Sequence, residues 1–333
     1  MNILIVRLSA LGDVVHAIPA AAALRRAFPE ARIDWLVEAR HRDLLDLVTV
    51  LDRVVVVRRS TLGGWTRVLR ELRTTRYDVA LDFQGLTKSA VLARGSGAAR
   101  VYGFSLRDLR EKSARPFYSA ATEAEGGHAI HKNLRLLRTL GIEDTRIEFP
   151  LAAVESPALR ALRATLGDAR LAVINPGAAW PNKRWPPERY GALAASLRQH
   201  QGLVPVILWG PGEEVLARAV ATASSGAAVL APPTGVHDIV AISRAAAVFI
   251  AGDTGPLHIA MAVQTPTVSL FGPTNPLRNG PFSSSDVVVS RADRCGCHID
   301  RRCHQAHWCL EDIGVTEVAA AVERRLALGS ARG

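Results

Sequence analysis

Asn2-Ile3-Leu4-Ile5-Val6-Arg7-Leu8-Ser9-Ala10-Leu11-Gly12-Asp13 decides how this chain is built. Ile3 to Val6 is an unbroken apolar run, the pattern of a strand covered on both faces, as in a parallel sheet. The polar loop that follows ends at Asp13, a residue suited to a helix start, and an alanine-rich helical segment continues to about Phe28. Working outward, the same alternation recurs. Short apolar strands are expected at Ile33 to Val37, Val54 to Val57, Val79 to Phe83 and Val101 to Gly103. Strands alternating with helices at this spacing give a doubly wound parallel sheet. The pattern restarts at Leu171 to Asn175 and continues through Val204 to Trp209, Ala228 to Leu230, Val248 to Ala251 and Thr267 to Phe271. Helices are expected at Pro187 to His200, Val236 to Ala246 and Val315 to Leu328. The fold class is therefore α/β: two Rossmann-like, doubly wound lobes, at 1–155 and 156–314, and a terminal helix at 315–330. The join lies in the aperiodic stretch from Phe149 to Pro157.

The 333 residues, 48% hydrophobic and 22% charged, suit two globular domains and exclude a disordered or fibrous chain. No Lys or Arg precedes the first apolar stretch and Gly12-Asp13 interrupts it, so a secretory signal is not expected and the protein should stay cytosolic. Thr254 to Leu277 carries no Asp, Glu, Lys or Arg, yet its four prolines would break a lipid-exposed helix. A buried helix followed by a buried strand is expected there. The net charge of +10 points to an anionic partner. Residues 1–150 hold 24 basic against 17 acidic side chains, and the rest 17 against 14, so the excess lies in the first lobe. Arg67, Arg70, Arg73 and Arg76 recur at near-helical spacing and read as a solvated face. Arg58 and Arg59, directly after a strand, are better placed to meet a ligand.

In such sheets ligands bind beyond the carboxyl ends of the strands, and two facing lobes would share one cleft. Asp13 is then either a helix cap or a general base taking a proton from an acceptor hydroxyl. The segment Asn175 to Pro186 places Lys183 and Arg184 beside two indoles, a combination suited to a diphosphate and a flat ring or sugar. Gly252-Asp253-Thr254-Gly255-Pro256-Leu257-His258 opens a helix whose amides form an anion site, with His258 facing phosphate or core. Glu213 or Glu214, after the next strand, is placed to hold a ribose hydroxyl, and Phe271 to Pro276 could line the same cleft. No P-loop, metalloprotease, nucleophile-elbow or dinucleotide fingerprint occurs, and no D-x-D. Leaving-group charge must be met by Lys183 and backbone donors. All four cysteines, Cys295, Cys297, Cys303 and Cys309, fall in one short segment with three histidines; a structural zinc site or packed reduced thiols both fit. A nucleic-acid-binding reading would use the arginine window and that segment, but the window is poor in aromatics and leaves the phosphate loops unexplained.

Ile3 to Asp13, Asp34-Trp35-Leu36-Val37-Glu38, Tyr77-Asp78, Asp82 to Ser89, Asp253-Thr254-Gly255 and Phe271-Gly272-Pro273-Thr274 resemble the ADP-heptose lipopolysaccharide heptosyltransferases, glycosyltransferase family 9. The first-half segments are most similar to the heptosyltransferase I branch. The Asn175 loop and the cysteine segment are more like heptosyltransferase II and general family members. The resemblance implies a GT-B fold and an inverting, metal-independent transfer from ADP-heptose that needs no cofactor. Asp13 would be the base. Lys183 would meet the diphosphate, and Asp253, Thr254, Gly255 and His258 would complete that site, with Ser9, Gly12, Glu213 and Glu214 joining the donor set. Arg58, Arg59, Arg110 and His128 would bind the phosphates and carboxylates of an anionic lipid-linked acceptor, Kdo2-lipid A. Such an enzyme would work peripherally, at the inner face of the cytoplasmic membrane, and would not bind nucleic acid.

Overall fold

The structure, a computed structural model, describes residues 1–58, 62–297, 300–303 and 305–330, the side chains of 62, 329 and 330 apart. The chain divides into two compact units, Met1–Ala152 and Ala153–Gly333. In the first, β1 (Asn2–Val6), β2 (Arg32–Glu38), β3 (Arg53–Val57), β4 (Val79–Asp82), β5 (Arg100–Phe104) and β6 (Ala120–Thr122) form one sheet in the order β3-β2-β1-β4-β5-β6. In the second, β7 (Leu171–Asn175), β8 (Val204–Ile207), β9 (Val229–Leu230), β10 (Ala246–Gly252), β11 (Thr267–Phe271) and β12 (Val287–Ser290) follow the order β12-β11-β10-β7-β8-β9. Every pairing in both sheets is parallel. The central strands β1, β7 and β11 are buried along nearly their whole length, which is why they read as apolar runs without alternation.

Several local expectations change. The first helical segment is two helices, Leu11–Val15 and Ile18–Ala27, because Pro19 lacks an N–H and belongs in a first turn. The strands β6 and β12, both short and at sheet edges, add to those expected from sequence; β6 is Ala-Ala-Thr with no apolar run, whereas β12 does carry one in Val287 to Val289. The arginine helix is Leu62–Leu72, so Arg73 and Arg76 lie beyond its end, and all four arginines are exposed. The charge-free stretch does form a buried helix, Gly255–Ala262, followed by buried β11. Among the described residues no helix is long and apolar enough to cross a membrane.

The turn after β4 is locked from below. Asp82 is fully buried, and its Oδ1 accepts the N–H groups of Gln84 and Gly85 at 2.9 and 3.2 Å. Its Oδ2 accepts the Ser89 hydroxyl at 2.8 Å and the Tyr118 hydroxyl at 2.7 Å. Burial raises the Asp82 carboxyl above its ordinary range against the pull of these four donors, and burial beside Asp82 raises the Tyr118 phenol. The Tyr118 ring reaches Asp82 only because Gly103 of β5 has no side chain: a Cβ there would stand 2.2 Å from the ring. We expect Gly103→Ala to cost about 1–3 kcal/mol through overpacking, read as a lower urea midpoint at unchanged slope. A midpoint equal to the parent's would show that Tyr118 can leave Asp82 without loss.

Candidate active site

In the first unit, the residues singled out by sequence stand on the carboxyl edge of the sheet. Asp13 occupies the first turn of Leu11–Val15, and its Oδ2 accepts the Ala10 N–H at 3.2 Å, so it caps the helix. Its Oδ1 pairs with the Arg7 guanidinium at 2.8 Å, and 42% of the Asp13 side chain stays exposed. Capping and acid–base chemistry are thus compatible at one carboxylate. Gly12 lies in the same turn without a left-handed φ, so its conformational freedom is not what the turn uses. Ser9 is half-buried in the loop before it. Arg58 follows β3 and Arg110 follows β5, both exposed. β3 and β5 each lie two strands from β1, one on either side of it. Arg59 lies outside the described residues. His128 caps the helix Ala129–Leu136, its Nδ1 accepting from the Ile130 N–H at 3.2 Å, and its ring packs edge-on against His16 with centroids 5.3 Å apart. His16 caps the other end of the Asp13 helix, which ties His128 to that element.

In the second unit, the loops after adjacent strands β7 and β10 meet. Gly252 permits this: a Cβ there would stand 2.7 Å from the Lys183 carbonyl oxygen. Asp253, 7% exposed, lies between two cations or donors, with Lys183 Nζ 2.6 Å from Oδ2 and His258 Nε2 3.1 Å from Oδ1. Burial alone would raise this carboxyl; His258 and Lys183 outweigh it and hold it well below the usual carboxylate range. Asp253 therefore has protein partners on both oxygens. Lys183 also lies 4.6 Å from the Trp180 ring centroid and keeps 14% exposure. Thr254 is the N-cap of Gly255–Ala262 without capping it, and its Oγ1 is buried with no partner among the described residues. The Gly255 and Leu257 amides lie in the first turn, where helical N–H groups lack intrahelical acceptors. Together these gather an ammonium group, a hydroxyl and helix-start amides at one corner, a set of donors suited to an anion.

Other expectations change at this edge. Trp185 is buried, donating from Nε1 to the Ile313 carbonyl at 3.0 Å and meeting Tyr190 edge-on, so only Trp180 of the two indoles stays partly open. Arg184 is spent on the Ala178 carbonyl, holding the loop closed. The two glutamates separate: the Glu213 carboxylate lies against Gly177 and accepts the Gly210 N–H at 3.0 Å, while Glu214 pairs with Arg218 on the helix surface. Glu213 is thus the one on the β7 loop.

The four cysteines gather at the same edge. Cys295 and Cys297 have sulfurs 3.2 Å apart, Cys295 also contacts Cys309, and Cys297 contacts Cys303. Burial pushes all four thiols up. The Asn182 amide, beside Lys183, donates to the Asp300 carbonyl at 3.0 Å and points to Cys297 at 3.7 Å, and Cys309 packs on Gly272. The segment braces two loops of the sheet edge. Among the described residues no group of three His, Cys, Asp or Glu side chains is arranged to hold a metal; His298 and His304 lie outside them. The sequence gives no separate role to Arg7, sited just before the Asp13 loop, and Thr274, within the segment expected to line a cleft, has its Oγ1 buried without a partner among the described residues.

Comparison with known proteins places the chain. The lipopolysaccharide heptosyltransferase 1 of Pseudomonas aeruginosa is 33% identical over 320 residues, covering 91% of this chain and 87% of that protein. The Escherichia coli protein of the same name is 28% identical over 307 residues, 88% and 94% of the two chains. The solved structure of E. coli heptosyltransferase WaaC with ADP superposes with a TM-score of 0.78 at 24% identity, over 99% of this chain and all of that one, and has the same two-sheet GT-B fold. The family model for glycosyltransferase family 9 (heptosyltransferase) matches residues 65–309, and this chain belongs to that family.

Proposed function

We propose that this protein transfers the heptosyl group of ADP-heptose to the Kdo2-lipid A inner core of lipopolysaccharide. The observation that carries the reading is the similarity, over 91% of the chain, to a protein named lipopolysaccharide heptosyltransferase 1. The parts that such a transfer needs are available in each unit. Asp13 takes the proton of an acceptor hydroxyl, whose oxygen attacks the anomeric carbon. The bond from that carbon to the ADP oxygen breaks, its electron pair leaves on the diphosphate, and one such displacement inverts the centre. Lys183, the Thr254 hydroxyl, the Gly255 amide and His258 meet the charge that develops on ADP, the role that preorganised donors play best. Asp253 holds Lys183 and His258 in place for it. Glu213 takes the ribose. No step uses a metal ion or a cofactor besides the donor.

Acceptor phosphates and carboxylates meet Arg58, Arg59, Arg110 and His128. This fits the excess of positive charge in residues 1–150. The enzyme works in the cytoplasm at the inner face of the membrane, attracted by charge to anionic headgroups.

The test is ADP release by the purified protein supplied with ADP-heptose and either Kdo2-lipid A or the same acceptor already bearing one heptose. Turnover with Kdo2-lipid A alone is expected. Turnover only with the heptosylated acceptor would assign the chain to the second heptose addition, and none with either would overturn the proposed donor and acceptor. Asp13→Ala is expected to lower kcat by about 10²–10⁴-fold, the usual contribution of a general base, in the same assay. Undiminished turnover would remove Asp13 from that role.

A further inference from the structure

The Arg7–Asp13 pair joins two features so far described apart. Arg7 directly follows β1, and its side chain is only 12% exposed. Its Nη2 holds Asp13 Oδ1 at 2.8 Å, and its Nη1 donates to the Phe83 carbonyl. Phe83 opens the turn that buried Asp82 locks through the amides of Gln84 and Gly85. The next residue along, Leu8, donates its N–H to Gln84 Oε1 at 2.7 Å, while Glu38 donates its N–H to the Leu8 carbonyl at 3.1 Å. On the other side the Trp35 indole donates to the Arg7 carbonyl at 3.1 Å. The end of β1 is therefore gripped from both neighbouring strands, and Arg7 is the one side chain of that grip that reaches Asp13.

We infer that Arg7 is the positioning residue of the catalytic base: it fixes Asp13 by Oδ1 and leaves Oδ2 as the oxygen that receives the acceptor proton. The inference rests on the reading of Asp13 as base. Oδ2 carries one backbone N–H at 3.2 Å, longer and less charged than the contact on Oδ1, and has a lone pair to spare. A guanidinium suits the task because its planar fork spans two acceptors at fixed geometry, here a carboxylate and a carbonyl, and stays charged at any working pH. The chain of restraint runs from Asp82, through the turn at Phe83, to Arg7 and Asp13. Arg7 touches no reacting atom in this scheme. Its effect passes wholly through Asp13.

The experiment is a double-mutant cycle on the full chain, with kcat and the KM for ADP-heptose measured for R7A, R7K, D13A and R7A/D13A. We expect R7A to lower kcat by roughly 10- to 100-fold, the scale of a displaced catalytic group, with the donor KM changed by less than ~2-fold. R7K keeps a cation beside Asp13 without the fork that also holds the Phe83 carbonyl, and is expected to recover only a small part of that loss. In the D13A background R7A is expected to have no further effect, since interacting groups are non-additive. Circular dichroism and the urea midpoint, measured on each variant, report whether the first unit, which holds Arg7, is intact, so a fall in kcat at a parental midpoint is not unfolding. An R7A enzyme with parental kcat would overturn the inference, as would a full R7A loss superimposed on D13A. Parental turnover in D13A would instead overturn the base assignment, a different result from the same four proteins.

Discussion

A buried carboxylate needs partners, and Asp253 organises the second unit's sheet edge around that need. An isolated charge at this depth is costly, and the compensation comes from Lys183 on the loop after β7 and His258 one turn into the following helix. The ion pair obliges two loops from neighbouring strands to converge. It holds an ammonium group beside a helix start without a side-chain cap and a threonine hydroxyl that has no partner among the described residues. What is left over after Asp253 is satisfied is a set of donors with no acceptor of their own, and an anion is the natural complement. The cysteine segment packs on the β7 loop through Asn182 and on the loop after β11 at Gly272.

The first unit repeats the device with a different outcome. Asp82, the last residue of β4, is also buried and also collects donors, but these are two backbone amides and two hydroxyls rather than cations. It spends them on making its own turn rigid, and that rigidity passes through Arg7 to Asp13, which remains partly exposed. One edge thus presents donors and the other a carboxylate acceptor. In the reading proposed here, departing diphosphate needs the first and an attacking hydroxyl the second.

Much of this could be read from the chain because parallel strands buried on both faces leave long apolar signals, and because function in such folds sits in the loops after them. The loops that carry Lys183, Asp253, Thr254 and His258 are legible on that argument, and the resemblance to the heptosyltransferases is what joins them in one diphosphate site. What local sequence could not carry was partnership across distance. Which glutamate stands on the β7 loop follows from Glu213 packing on Gly177, and Trp185 is excluded from ligand contact by a hydrogen bond to Ile313, 128 residues away. Arg7 was in view within the opening segment, yet nothing nearby in sequence shows that its guanidinium spans Asp13 and Phe83. The edge strand β6, Ala-Ala-Thr, carries no apolar run to read, whereas Val287 to Val289 of β12 is a short strand signal that was there to be read.

The account stands or falls on whether the Asp253 corner holds diphosphate. Calorimetric titration of ADP into the parent, Lys183→Ala and Asp13→Ala proteins tests this most directly. Loss of one charge-assisted contact is worth about 1.5–3 kcal/mol, so ADP should bind roughly 10- to 100-fold more weakly to Lys183→Ala and with parental affinity to Asp13→Ala. Parental affinity in Lys183→Ala, or a loss confined to Asp13→Ala, would contradict it.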